Sequence, residues 1–206
     1  MARFHSYEPA DGHRLPHDPL KAIVAPRPIG WISTLDGEGR TNLAPYSFFA
    51  MVSGNPPILM ISSEGHKHTI ANIEATGAFV YNLATRAQAE AMNLSSGTFP
   101  QGVDEFERAG LEKLPSASVA PPRVAGSPAH LECRVIETRP IRDMGGQPTG
   151  AIMALGQVVH VHIDESVLVD GLFDIVRAGT IARCGYRGDY VTATSVFEMI
   201  RPTIET

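Results

Sequence analysis

The stretch RPIGWISTLDGEGRTNLAPYSFFAMVSGNPP, residues 27–57, decides how the chain is read. Residues 29–35 read as a strand, and Asp36-Gly37-Glu38-Gly39 as a hairpin-like turn, because glycine reaches positive φ without steric cost. The returning arm is odd, since Asn42, Tyr46 and Ser47 stand where a structural strand needs only alternation. Pro45 removes one ladder donor and frees the backbone groups beside it. Those groups suit the edge of a flat heterocycle, with Tyr46 or Phe48 against its face. They suit equally well the edge of a barrel whose aromatics are core.

Outward from this hairpin, strands dominate. ILMISS (58–63) is a short apolar run bounded by Pro57 and Gly65, the mark of a buried strand. AFVYNL (78–83) alternates Phe79, Tyr81 and Leu83 against Val80 and Asn82. HLECRVIET (130–138) and ALGQVVHVHID (154–164) alternate likewise, and a last strand is expected over residues 190–197. Between them lie short helices. One is capped by Thr69 and ends near Gly77 with Ile70 and Ile73 on one face; the others fall in RAQAEAMNL and DEFERAG. Residues 1–20 read as a polar N-terminal arm, and PSASVAPPRVAGSP as an extended connection. Six or so strands with helical insertions predict a mainly β barrel, one domain over residues 1–206.

Composition narrows the function. The net charge is −5, so no global field attracts nucleic acid or an anionic membrane. No h-region opens the chain and no run of eighteen apolar residues appears, which predicts a soluble, cytoplasmic protein. Cys133 and Cys184 have neither metal nor disulfide spacing and read as free thiols. His160 and His162 share a strand face, but a metal-dependent hydrolase built on them lacks a third ligand. GxxxxGK[ST], GxGxxG and GxSxG are all absent.

The strongest local signal is ISSEGHKHT, residues 61–69. A strand ends in Ser62 and Ser63, a glycine turn follows, and Lys67 and Thr69 enter a helix whose free amides favour an anion. That is the chemistry of a phosphomonoester site, although an ordinary capped helix with solvated His66, Lys67 and His68 shares the spacing.

Four blocks decide between these readings. HDPLKAIVAPRPIGWISTLDGEGRTNLAPYSFFAMVSGNPP, KHTIANIEATGAFVYNL and MNLSSGTFPQGVDEFERAGL, with SPAHLECRVIE, closely resemble the flavin reductase-like family of FMN-binding split barrels. The resemblance covers roughly residues 15–200 and points to the branch holding flavoredoxin and the nitrilotriacetate monooxygenase reductase component. It implies a six-stranded Greek-key split barrel that forms a homodimer with FMN at the interface. It implies hydride transfer from NADH or NADPH to the flavin, which then serves a monooxygenase component or another acceptor. A flavoredoxin-like electron carrier with no nicotinamide activity is the alternative. Carried over, Ser33 and Thr34 lie by the ribityl chain and Ala44, Pro45, Tyr46 and Ser47 line the isoalloxazine. Ser62, Ser63, Lys67 and Thr69 hold the phosphate, while Arg27 and Arg183 are looser cofactor contacts, Arg183 to the flavin of the other subunit. Two positions depart from the family pattern: His68 replaces an acid, and Tyr186 replaces a glycine near the expected path of the nucleotide.

Overall fold

The computed structural model describes residues 2–204. Among them, one antiparallel sheet of seven strands dominates: β1 (Gly30–Leu35), β2 (Thr41–Tyr46), β3 (Phe49–Gly54), β4 (Pro57–Glu64), β5 (Ala78–Leu83), β6 (Ala129–Arg142) and β7 (Pro148–Ile163). Their order is β2-β1-β5-β6-β7-β4-β3. The two outermost strands, β2 and β3, are consecutive in the chain and joined only by Ser47 and Phe48. So short a link forces the sheet to curl until its edges meet, and the Ser62 amide donates to the Phe48 carbonyl at 2.8 Å, carrying the β3–β4 ladder one step into the link. The result is a barrel, as expected, but with seven strands rather than six.

The additional strand is β3. Its middle residues Met51 and Val52 face solvent, so no alternation marked it in the sequence. The strand expected over residues 190–197 shrinks to Tyr190–Thr192, which joins Arg27–Pro28 and Ile181–Arg183 in a small separate sheet. The β6–β7 hairpin runs well past both expected ends, to Arg142 and from Pro148, because its tip is exposed and carries no burial pattern. Among the described residues four short α-helices accompany the sheet: α1 (Leu20–Ile23), α2 (His68–Thr76), α3 (Ala89–Leu94) and α4 (Glu105–Arg108).

The 36–40 turn shows how the hairpin is set. Asp36 Oδ1 accepts from the amides of Glu38 and Arg40, both at 2.9 Å, and Gly39 takes φ 80°. This pins β1 to β2 in the register Trp31↔Pro45 and Ile32↔Ala44. Pro45 costs no ladder bond on its outer side, because β2 is the last strand of the order. β1 is buried on both faces. Ile32 points into the barrel with Leu59, Ile61, Ile70, Ile73 and Phe79, while Trp31 points out against Leu43, Met92, Phe106 and Val124. α2 therefore plugs the barrel, and α3 and α4 cover its outside.

The expected capping role of Thr69 is corrected. Lys67 is the N-cap and Thr69 lies inside the first turn, where its Oγ1 accepts from Asn42 Nδ2 at 3.0 Å. The stop at Gly77 holds, with φ 69° in the left-handed region. The histidine face has a different use from the one its alternation suggested. His162 Nε2 pairs with the buried Glu132 at 2.6 Å, and His160 stacks on His162 at 4.5 Å. Among the described residues no group of three or more His, Cys, Asp or Glu side chains could hold a metal ion.

Candidate functional site

A cleft of about 400 Å³ opens where the barrel seam meets the N-terminus of α2. One wall is the end of β2 with the link that follows it, Ala44 to Phe48, and the other is the loop Ser95–Phe99 that follows α3. Ser62, Lys67, His68 and Thr69 close one end. The loop is anchored from below, since the Trp31 indole donates to Ser95 Oγ at 2.9 Å and Ser95 Oγ donates to the Met92 carbonyl.

At the closed end the geometry suits an anion. The first intrahelical bond of α2 runs from the Ala71 amide to the Lys67 carbonyl, leaving the amides of His68, Thr69 and Ile70 without helical acceptors. No side-chain cap bond competes for them at this helix start. The helix dipole, the Lys67 ammonium and the Ser62 hydroxyl add to the same positive region. Asn42, which the sequence left without a role, ties Thr69 to β2 and so holds the helix start against the barrel.

Seven of the expected residues meet here: Ala44, Pro45, Tyr46, Ser47, Ser62, Lys67 and Thr69. Tyr46 arrives differently from the expectation. Its ring belongs to the barrel core and its hydroxyl reaches Thr69 and Ser63, while burial pushes its pKa up. The partly exposed aromatics on the cleft are Phe48 and Phe99, with Lys21 Nζ 5.3 Å and the Arg27 guanidinium 5.9 Å from the Phe48 ring centre.

Three expected residues are not brought to the cleft. Ser33 Oγ donates to the Pro122 carbonyl at 2.5 Å, Thr34 Oγ1 accepts from Asn72, and Ser63 Oγ donates to the Gly65 carbonyl. All three are fully buried. Arg27 and Arg183 lie in a neighbouring cleft of about 480 Å³ with His17, Asp18, Tyr186 and Arg187. The two clefts share Lys21 and Ser47.

Sequence reasoning assigned no role to the 95–99 loop, although SSGTF is a cluster of loop formers. It also missed Glu105 on the cleft floor. Burial pushes that carboxyl up, opposed by the Leu43 amide it accepts at 3.0 Å. α4 sets its position: Asp104 caps the helix by accepting from the Phe106 amide and also takes Thr41 Oγ1 at 2.6 Å.

Comparison with known proteins agrees with the geometry. The sequence profile of the flavin reductase like domain matches residues 24–177. An uncharacterised protein of Deinococcus radiodurans is 36% identical over 197 residues, covering 89% of this chain and 83% of its own. One from Aquifex aeolicus is 34% identical over 155 residues, covering 73% and 76%. Among solved structures, nitrilotriacetate monooxygenase component B of Bacillus cereus superposes with a TM-score of 0.86 at 25% identity, covering 97% of this chain and all of its own. The 2-nitrobenzoate 2-nitroreductase of Pseudomonas fluorescens gives 0.78 at 27% identity and 89% of each chain. The flavoredoxin of Desulfovibrio vulgaris shares the fold, with a TM-score of 0.73 at 23% identity over 87% of this chain and 91% of its own. The chain belongs to the flavin reductase-like family of split barrels.

Proposed function

We propose that this protein binds FMN in the seam cleft and works as an NAD(P)H-dependent flavin oxidoreductase. The observation that carries the reading is the pairing of two unlike ends in one cleft: an aromatic-edged strand link at Pro45–Phe48 and an uncapped, lysine-bearing helix start at Lys67–Thr69. A flat heterocycle with a phosphate tail needs that pairing. The residues present fit the cofactor. Lys67, Ser62, Thr69 and the α2 amides hold the phosphate, while Ala44–Ser47 and Phe48 line the ring system.

When bound, FMN supplies the redox chemistry, accepting a hydride from the nicotinamide of NADH or NADPH and passing electrons onward. The chain contributes orientation and exclusion of water. Ser95–Phe99 covers the face opposite the strand link, and Asn42 keeps the phosphate end rigid. No acid or base is needed at the hydride step, so the buried Glu105 serves to hold the Leu43 backbone.

We further place FMN at a homodimer interface. Val196, Phe197, Met199 and Ile200 are strongly exposed along a terminal segment with no regular structure, and Val161 and Ile163 are exposed on β7. A monooxygenase component is the favoured acceptor, because the relative from Bacillus cereus is itself named a component of such a system. The unpaired Cys133 and Cys184 fit a reducing cytoplasm. Among the described residues no helix is long and apolar enough to cross a membrane.

Anaerobic mixing tests the activity. Bleaching of the bound flavin's visible band by NADH or NADPH supports it. Reduction by dithionite but by neither nucleotide would make the protein a flavoredoxin-like carrier instead.

A further inference from the structure

The cleft beside the seam carries a charge pattern unlike the rest of the molecule. In a chain of net charge −5, His17, Lys21, Arg27, Arg183 and Arg187 converge on one concavity against a single lining acid, Asp18. Its rim is built, not accidental. Arg183 Nη1 donates to the carbonyls of Asp189 at 2.7 Å and Tyr186 at 3.3 Å, and the Tyr186 amide donates to Asp189 Oδ2 at 2.8 Å. Arg27 donates through Nη1 to the carbonyls of Lys21 and Val24, yet its Nε is buried with no hydrogen-bond partner. A buried guanidinium nitrogen left unpaired is costly and points to an absent acceptor. Arg187, fully on the surface, makes no hydrogen bond or ion pair among the described residues. The Tyr186 ring is 48% exposed at the same place, with His17 tilted against it at 5.8 Å.

We propose that this second cleft binds the adenosine end of the electron donor and selects the 2′-phosphorylated dinucleotide, NADPH, over NADH. The inference rests on the nicotinamide reading above. The shared residues Lys21 and Ser47 make the two clefts continuous, so a nicotinamide at the Phe48 wall leaves its phosphates among the arginines. Arginine forks suit phosphate oxygens, and an exposed tyrosine ring offers a stacking surface to adenine.

The test uses the FMN-loaded protein and two probes without a nicotinamide, 2′,5′-ADP and 5′-AMP, titrated calorimetrically. The expected result is binding of 2′,5′-ADP at least tenfold tighter than of 5′-AMP. Arg187→Ala should weaken 2′,5′-ADP about tenfold, the loss of one charge-assisted contact, and Tyr186→Ala should weaken both probes alike. Neither variant touches the seam cleft, so the FMN content stays at the parent level. Equal affinities for the two probes, or an Arg187→Ala variant that binds like the parent, overturns the proposal. Should NADPH bleach the flavin while 2′,5′-ADP neither binds nor competes, the subsite is wrong and the reductase reading stands. Should 2′,5′-ADP bind while neither dinucleotide bleaches the flavin, the reductase reading falls and takes this assignment with it.

Discussion

Lys67 and Lys113 look alike in the sequence and are used differently. Lys67 stands at the N-cap position of α2, at the closed end of the seam cleft, whereas Lys113 is paired with Asp104 at the start of α4. Replacing Lys67 with alanine should raise the FMN dissociation constant about tenfold, the usual size of one lost charged contact. Lys113→Ala should leave FMN affinity unchanged and cost at most ~1 kcal/mol of stability. Fluorescence titration of both variants, with urea unfolding alongside, reads the two effects separately. Gly156 tests packing at the same scale. A Cβ there meets the Phe79 ring at 2.3 Å and Cys133 at 3.1 Å, both inside the barrel. Gly156→Ala should destabilise by ~1–3 kcal/mol through forced displacement of Phe79, measured as a lower urea midpoint.

Single residues also show where the sequence was silent. Tyr46 and Phe48 are two apart, and alternation alone sends them to the same side of a regular strand. β2 ends at Tyr46, and the turn that follows sends Tyr46 into the core and leaves Phe48 at the cleft. Similarly, Ser33 and Thr34 are polar enough to suggest ligand contacts, but both hydroxyls are used inside the protein. Which hydroxyl faces a ligand depends on long-range partners such as Pro122 and Asn72, which lie 89 and 38 residues away.

At the scale of elements, β6 carries a charge that stabilises the fold only above acid pH. Burial pushes the Glu132 carboxyl up, but the amides of Ala117, Ser118 and Val119 and the His162 ring outweigh this and hold it at about 2. The unfolded chain takes up that proton near 4.5, so stability present above this pH is lost as pH falls toward 2. His130, on the same strand, is lowered to about 4, first by burial and then by repulsion from Arg123 and His162. The unfolded chain binds the proton below 6.5 and the folded chain refuses it until about 4, so stability also falls across that window. The His130 shift amounts to ~3 kcal/mol. Urea midpoints should therefore drop steadily from pH 7 to pH 4. His130→Asn should flatten the slope between 6.5 and 4, and Glu132→Gln the slope between 4.5 and 2. An unchanged slope in either variant would assign the acid sensitivity elsewhere. Elements with a buried face, β1, β4, β5 and α2, were legible from periodicity, because one face of each is core. β3 and the outer half of the β6–β7 hairpin were not, since exposed strands carry no hydrophobic alternation.

The whole molecule closes through a two-residue link between edge strands, and that seam is where the candidate site sits. This explains why one stretch, residues 27–57, carried so much of the reading. It contains β1, the turn, β2, the link and β3, and so draws both edges of the barrel and one wall of the cleft. What it lacks is the opposite wall, Ser95–Phe99, tied to β1 by Trp31 reaching Ser95 across the fold. The exposed apolar residues from Val196 to Ile200 are expected to be covered by a second copy. Sedimentation at micromolar concentration should give twice the chain mass, and ending the chain at Ala193 should shift it to monomer. A parent chain that sediments as a monomer would place the flavin within one subunit.

The central claim is that the seam cleft holds FMN. The most direct measurement is the absorption spectrum after incubation with excess FMN and desalting, recorded for the parent and for Lys67→Ala. The expected result is one flavin retained per parent chain and markedly less in the variant. A parent protein that emerges colourless, or a variant that retains as much flavin as the parent, would contradict it.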